Sequence, residues 1–262
     1  MKRRIIVKSP ENLDRIIRVL TEVPVVYDHM DRTFLVMLDR SMFFQPSFEA
    51  LKANKMSALT TQEPKLKGQE ESLLEPLTFA FGYAQKVFLC TAVEVCLLHH
   101  YTNSAYFFVS YFKGDFDRLP TLKHWVQSRR DSRDWDNWKN FNSDKQLKTM
   151  KEISFSNLSV ANEFFGDIYG KLPFQQALSD NDYKTFFKIF QSLQEQRNGI
   201  IHRGGELKDG LCIEVSSTDM SETYETAKYF RNHLLGFSAW CRDWWLKKFY
   251  TKLEEYDTKQ AK

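Results

Sequence analysis

The chain has 262 residues, of which 42% are hydrophobic and 27% are charged, and its formal net charge is +3. This composition is close to that of average folded domains, so it excludes a wholly disordered chain and fits one large domain, or one domain with an appendage. Ten glycines and seven prolines stand beside 22 phenylalanines. Few chain breakers and many large side chains favour long helices over a turn-rich β-protein.

The sequence shows neither a targeting segment nor a clear membrane span. The apolar run near the N-terminus, residues 5–7, is too short for a signal peptide. The most hydrophobic stretch, 73–98, carries Lys86 and Glu94, which argue against a span. The four cysteines form no Cys-x-x-Cys pair and no zinc-like pattern, as is usual in a reducing compartment. We therefore expect a cytoplasmic protein without a membrane partner, a metal or a cofactor.

Residues 1–60 predict a small α+β appendage. Residues 9–11, Ser-Pro-Glu, are typical of a helix start, and the apolar residues that follow keep a helical period. Segments 23–26 and 33–38 are rich in β-formers and predict a hairpin, although Pro24 weakens its first strand.

A short helix is predicted over residues 48–55, and residues 56–70 have the composition of a linker. Beyond it, residues 70–256 predict one mainly helical domain. Residues 70–100 form one long helix in this prediction, placed centrally because apolar residues surround it on most sides. Residues 102–145 are less regular and predict an insertion, after which residues 147–169 are helical in part.

Two further long helices are predicted in the C-terminal third. Ser179, followed by acidic residues, is typical of a helix start, and the pair 204–205, Gly-Gly, is typical of a helix end. A loop with a short strand at 211–215 comes next. Ser221 then predicts a last helix that runs to about Tyr256.

A polar motif stands where the first of these two helices ends: Arg197-Asn198-Gly199-Ile200-Ile201-His202, followed by Arg203. Asn198 and His202 are one helical turn apart, and Arg197 and His202 are about 140° apart around an ideal helix. Arginine offers a permanent charge and a fork of donors that fits a phosphate, and histidine exchanges a proton near neutral pH. Together they can cleave RNA by internal attack of the 2′-hydroxyl, which needs no metal because the nucleophile belongs to the substrate.

This motif resembles the signature of the HEPN superfamily, in which a histidine follows an arginine after four to six residues, often with a polar residue next to the arginine. Here Asn198 follows Arg197, and His202 comes after the four residues 198–201. The resemblance implies a HEPN-like helical bundle over roughly residues 70–256. It also implies a homodimer in which two copies of the motif meet in one composite site.

The same resemblance implies an endoribonuclease of anti-phage defence or of a toxin–antitoxin system. Its partners would be RNA and a cognate antitoxin or sensor protein. His202 would move the proton, Arg197 would bind the scissile phosphate and stabilise its developing charge, and Asn198 would orient His202 or the phosphate. Arg203 is a further candidate for substrate binding.

Two alternatives accompany this interpretation, and a second segment matches the same spacing. The segment can be a plain helix C-terminal cap, in which His202 and Arg203 meet the free carbonyls and the dipole. A HEPN-like domain can also be a non-catalytic module that binds a partner protein or a nucleotide. Arg118 and His124 match the same spacing, but Pro120 between them breaks the helical presentation.

Residues 124–141 form a second candidate region, with tryptophans among basic residues. Arg129 and Arg130 are its candidate substrate-binding residues, since aromatic rings stack bases and arginines hold phosphates. Acidic residues dilute the charge, so a loop that packs its tryptophans on the bundle is the alternative. The pair 99–100, His-His, suggests a metal site, but no third ligand lies nearby and a helix end is the favoured interpretation.

The aromatic residues near the C-terminus have helical spacing. They are Trp240, Trp244, Trp245 and Phe249. This spacing predicts a part of the core or a dimer face.

Overall fold

The computed structural model describes residues 11–62, 70–111, 115–129, 135–140, 143–155, 157–170, 173–213 and 215–260. Helix makes up 86% of this part of the chain, and no strand forms within it. The predicted mainly α class is therefore confirmed. Of the helix start predicted at residues 9–11, only Glu11 lies within the described residues.

The described residues form ten α-helices and one 3₁₀ turn. The long helices are α1 (Glu11–Met42), α2 (Phe44–Gln62), α3 (Glu70–Tyr111), α9 (Asp180–His202) and α10 (Ser217–Gln260). The shorter helices are α4 (Pro120–Gln127), α5 (Trp135–Lys139), α6 (Ser143–Met150), α7 (Leu158–Tyr169) and α8 (Pro173–Ala177). The 3₁₀ turn, Phe116–Arg118, precedes α4.

Helices α1, α3 and α10 pack against one another at the centre of the molecule. The buried side chains of α1 recur every three or four residues: Ile16, Val19, Val23, Tyr27, Met30, Phe34 and Leu38. They join buried residues of α3 and α10 in one hydrophobic core, and α9 packs on the side of α3. Removal of this apolar surface from water is the main force that holds the helices together.

The hairpin predicted over 23–26 and 33–38 is wrong, because both segments belong to α1. The buried residues of these segments, Val23, Phe34 and Leu38, belong to one stripe of helical period that runs along α1. Asp28 and Arg32 form an ion pair at 3.0 Å across one helical turn, where the hairpin loop was expected. Residues 11–62 are thus two helices, and the predicted α+β appendage has no strand in this described range.

Three other predicted boundaries differ from the structure. Helix α3 continues to Tyr111, past the predicted end near residue 100, so the insertion predicted over 102–145 begins as helix and continues in short helices where it is described. The predicted linker, 56–70, is helical up to Gln62. In place of a strand at 211–215, a single bridge joins Glu206 to Cys212.

Helix α10 begins four residues earlier than Ser221, the predicted cap. The Ser216 hydroxyl accepts a hydrogen bond from the Asp219 backbone N–H at 3.1 Å, and the Asp219 carboxylate accepts one from the Ser216 backbone N–H at 2.8 Å. Such a reciprocal pair satisfies two N–H groups at a helix start, so it fixes the beginning of α10.

The division of the chain into residues 1–60 and 70–256 stays a prediction. The boundary falls at residues 61–69, of which 63–69 lie outside the described part of the chain. Within the described part, α1 shares its hydrophobic core with α3 and α10.

One helix in the described chain, Leu74–Val109, is long and apolar enough to cross a membrane by length and composition alone. Half of this apolar stretch is buried by the rest of the protein, and length and composition alone are weak evidence for a membrane span. The aromatic cluster predicted near the C-terminus is part of the core, where Trp245 and Phe249 are buried. Three of the four free cysteines are buried as well, and Cys212 is exposed.

Candidate functional site

The polar motif lies at the C-terminal end of α9. This helix begins as predicted, because the Ser179 hydroxyl accepts a hydrogen bond from the Asp182 backbone N–H at 3.2 Å. Phe186, Phe190 and Leu193 then bury one face of the helix. The first turns are thus anchored, and the last turn holds residues 197–202 in fixed relative positions.

Two glycines end α9, as predicted. Gly204 and Gly205 have positive φ angles of 64° and 100°, which glycine adopts without strain. The backbone N–H groups of Arg203 and Gly205 both donate to the Gly199 carbonyl at 3.0 Å. These bonds satisfy a carbonyl that the helix leaves free and turn the chain back on itself.

The returning loop packs directly on Gly199 of the motif. A Cβ atom at this position would lie 2.5 Å from the carbonyl oxygen of Glu206 and 2.7 Å from Cδ1 of Ile213. The Ile213 backbone N–H also donates to the Gly205 carbonyl at 2.7 Å, which holds the loop in place. The glycine of the motif therefore lets the loop 203–213 close over the last turn of α9.

Arg197 lies between α9 and α3, with 27% of its side chain exposed. Its Nη2 lies 4.0 Å from Oε2 of Glu94, and its Nη1 donates to Oδ1 of Asn198 at 3.2 Å. Its Nε is buried without a hydrogen-bond partner. Asn198 and Glu94 therefore hold the guanidinium, which keeps an unused donor.

Glu94 of α3 is the residue of this site that the sequence did not identify. It stands in the most apolar stretch of the chain, and a carboxylate there needs a cationic or polar partner. The need for such a partner is the sequence signal that points to Glu94. It does not identify the cation that pairs with Glu94. Cys90 places its Sγ 3.9 Å from Oε1 of Glu94, and burial, reinforced by Glu94, raises the pKa of this thiol. The thiol therefore stays neutral at physiological pH.

His202 is the last residue of α9, and it is exposed. Its side chain makes no hydrogen bond or ion pair with any residue that the structure describes. Arg197 faces α3 whereas His202 faces solvent, in keeping with their separation of about 140° around the helix. No contact between described residues brings the two side chains together within one chain.

Asn198 and Arg203 line one cavity of about 200 Å³ beside the motif. Its walls come from α9, from the start of α7 and from the loop that follows α9. The lining also includes Gln194, Glu195 and Lys208, so the cavity is polar and carries both signs of charge.

The Arg203 side chain is bound to the loop through its Nε, and the residue also lines the cavity. Its Nε donates to the Glu206 carbonyl at 2.8 Å. Its Nη2 is buried, has no hydrogen-bond partner and lies 3.8 Å from Oε1 of Glu195. The two groups form an ion pair, but the distance is too long for a hydrogen bond, so Nη2 keeps a donor without an acceptor.

The other predicted substrate-binding residues lie in a separate segment. Arg129 forms an ion pair with Glu152 at 2.7 Å and lies 4.8 Å from the ring centroid of Trp125. Arg130 lies outside the described residues. Trp135 and Trp138 are buried with their rings stacked at 5.1 Å, which is the packing role given above as the alternative for this stretch.

The second match to the motif spacing is not presented on one helix. Arg118 belongs to the 3₁₀ turn and forms an ion pair with Asp115 at 2.9 Å. Pro120 begins a new helix, α4, and His124 lies near its end. The two side chains therefore belong to different elements, as the position of the proline indicated.

The histidine pair 99–100 lies in the middle of α3 rather than at a helix end. His100 is fully buried, and burial lowers its pKa to about 3. Among the described residues, no group of three or more histidine, cysteine, aspartate or glutamate side chains is placed to hold a metal ion.

The end of α9 thus carries an exposed imidazole and a partly exposed guanidinium on different sides, with a polar cavity beside the motif. An imidazole can exchange a proton with a bound group, and a guanidinium can neutralise an oxyanion. No family model, no curated protein and no solved structure matches the chain.

Proposed function

We propose that the chain is a metal-independent endoribonuclease of HEPN type that acts in the cytoplasm as a homodimer. The observation that carries this proposal is the presentation of the motif at the end of α9. His202 is exposed, Arg197 is partly exposed and held by Asn198, and a polar cavity lies alongside. The packing of α3, α9 and α10 supports a HEPN-like bundle as the scaffold.

In the proposed reaction, the 2′-hydroxyl of the RNA attacks the neighbouring phosphorus. The 2′-oxygen–phosphorus bond forms and the phosphorus–5′-oxygen bond breaks. His202 takes the proton of the 2′-hydroxyl, and the leaving 5′-oxygen takes up a proton from water. Arg197 stabilises the charge on the phosphoryl oxygens, and the products carry a 2′,3′-cyclic phosphate and a 5′-hydroxyl.

The orientation of the two side chains supports the proposed homodimer. Arg197 and His202 of one chain lie on different sides of α9, so a site that uses both draws one of them from each subunit. A role in anti-phage defence or in a toxin–antitoxin system, with a cognate antitoxin or sensor protein, is proposed on the motif alone.

The test is cleavage of end-labelled RNA in EDTA by the wild type, Arg197→Ala and His202→Ala. His124→Ala is the matched control, because His124 is exposed and belongs to the second copy of the spacing. We expect cleavage by the wild type and the control only, with cyclic phosphate ends, and none of 2′-O-methylated RNA. Cleavage by folded His202→Ala at the wild-type rate would disprove the proposed role of His202.

The ion pair with Glu94 favours a second candidate, a non-catalytic module that binds a partner protein or a nucleotide. In that case the charge of Arg197 neutralises Glu94 of α3 rather than a substrate phosphate. A folded, dimeric wild type that leaves RNA intact while binding it, equally well with His202→Ala, would establish this candidate.

A further inference from the structure

We infer that the cavity beside the motif binds one nucleobase that carries a ring carbonyl next to a ring N–H, namely guanine or uracil. This inference deepens the proposed function, because it names the base that the ribonuclease reads next to the bond it cuts. It rests on the proposed function only in taking RNA as the ligand. Binding of single nucleotides tests it without cleavage.

Two buried donors in the cavity wall have no acceptor. The Gln194 side chain is only 7% exposed, and its Nε2 has no hydrogen-bond partner. Nη2 of Arg203 is ion-paired with Glu195 at 3.8 Å but also has no hydrogen-bond partner, and both residues line the cavity. A buried donor without an acceptor is unfavourable, so a ligand that brings oxygen or nitrogen acceptors is bound preferentially.

Glu195 supplies the complementary group in the same wall. Its Oε1 is 3.8 Å from Nη2 of Arg203, which leaves its lone pairs available for a donor from the ligand. Donors beside a carboxylate acceptor match an edge in which a carbonyl stands next to an N–H. Guanine and uracil have this edge, whereas adenine and cytosine carry an amino group and an unprotonated ring nitrogen there.

The remaining lining fits the faces and the size of a base. Phe187, half-buried on α9, gives the cavity an aromatic wall on which a base can stack. The volume of about 200 Å³ suits a single base and is below that of sites for larger ligands.

A second groove gives the rest of the strand a path. It has a volume of about 490 Å³ and shares Gln191, Glu195 and Lys208 with the cavity. Lys208 is exposed between the two, and Lys188 is exposed at the second groove. With the base in the cavity, we expect Lys208 to contact the phosphate and the next nucleotide to lie near Lys188.

The experiment measures the affinity of the full chain for GMP, UMP, AMP and CMP by calorimetry. GMP and UMP should each bind about tenfold more tightly than AMP and CMP, as expected for one well-placed pair of hydrogen bonds. Gln194→Glu removes the unpartnered donor and should abolish this preference. Gln127→Glu makes the same chemical change on an exposed part of α4 and should leave it intact.

Two further variants distinguish base recognition from phosphate binding and from catalysis. Lys208→Gln alters an exposed loop residue, so it folds, and it should weaken all four nucleotides alike because it contacts the phosphate. His202→Ala should keep the base preference. A wild-type protein that prefers GMP or UMP but cuts no RNA supports the base site and refutes the nuclease. Equal affinity for all four nucleotides, no binding, or an unchanged preference in folded Gln194→Glu overturns the inference.

Discussion

His100 lies in the middle of the hydrophobic core, between two aromatic rings. Its ring centroid is 5.6 Å from that of Tyr27 and 6.0 Å from that of Phe237. Neither of its ring nitrogens has a hydrogen-bond partner in the described structure. Burial lowers its pKa to about 3, from 6.5 in a solvated chain. The folded protein therefore keeps His100 neutral, whereas the unfolded chain takes up a proton below about pH 6.5.

We expect this difference to make the protein sensitive to acid. Because the pKa is lowered in the folded state, the contribution of His100 is fully present above about pH 6.5 and is lost as the pH falls toward 3, by up to about 1.4 kcal/mol per pH unit. His100→Phe keeps a ring in the core and removes two unpaired nitrogens. Urea unfolding between pH 7 and 4 should show a higher free energy of unfolding and a flatter pH dependence in the variant.

Some pH dependence should remain in His100→Phe, because burial also lowers the pKa of the neighbouring His99. If the variant and the wild type lost stability at the same rate between pH 6.5 and 4, the assignment of the acid sensitivity to His100 would be wrong.

Gly199 is the residue on which the loop over the motif depends. A methyl group there would meet the Glu206 carbonyl oxygen at 2.5 Å, and backbone cannot yield as a side-chain end can. We expect Gly199→Ala to lower the free energy of unfolding by about 1–3 kcal/mol, as overpacking does elsewhere. The measurement is urea unfolding.

Gly236→Ala is the control for this prediction. Gly236 is exposed inside α10, and a Cβ atom there meets nothing within 4 Å. Alanine should therefore stabilise the helix by about 0.5–1 kcal/mol. A Gly199→Ala variant as stable as Gly236→Ala would show that the loop does not press on α9.

At the scale of elements, α1 shows how a local pattern can mislead. Residues 23–26 and 33–38 contain enough β-branched residues to look like two strands when each is considered alone. The helical stripe that decides the structure runs over 23 residues, from Ile16 to Leu38, and it becomes visible only when both segments are considered together. Tertiary packing against α3 and α10 then outweighs the local β preference.

The helical conformation of residues 23–26 can be tested by substitution of Pro24. Pro24 lies inside α1 on the exposed side, where it removes one backbone hydrogen bond of the helix. Pro24→Ala restores that bond and should raise the free energy of unfolding by about 1–3 kcal/mol. Val25→Ala, at the neighbouring exposed position, should change it by less than about 0.5 kcal/mol. A loss of stability in Pro24→Ala would mean that the proline supports the chain path.

Helix α9 was predicted from end to end, because its signals are local. Ser179 and the glycines 204–205 bound it through contacts within a few residues. The partners of its motif were not predictable in this way. Glu94 and Arg197 are 103 positions apart, and nothing in the sequence alone says that α3 presents Glu94 to α9.

At the scale of the whole molecule, the proposed reaction requires two side chains that point apart, Arg197 and His202, to act on one phosphate. In a homodimer with two composite sites, each site takes Arg197 from one subunit and His202 from the other. A heterodimer of Arg197→Ala and His202→Ala then has one intact site of two. The two single variants should be inactive, and the heterodimer, purified through two different tags, should have about half the wild-type activity.

The reciprocal heterodimer makes this prediction decisive. It joins a wild-type chain to a chain that carries both substitutions, so every composite site lacks either Arg197 or His202. It should be inactive if the residues act across the dimer, but it should keep about half the activity if each chain uses its own pair. The two heterodimers contain the same numbers of arginine and histidine side chains, so any difference between them reports only which subunit supplies which group. Activity in the reciprocal heterodimer and none in the first would place Arg197 and His202 of one chain at the same phosphate, which would require Arg197 to leave Glu94.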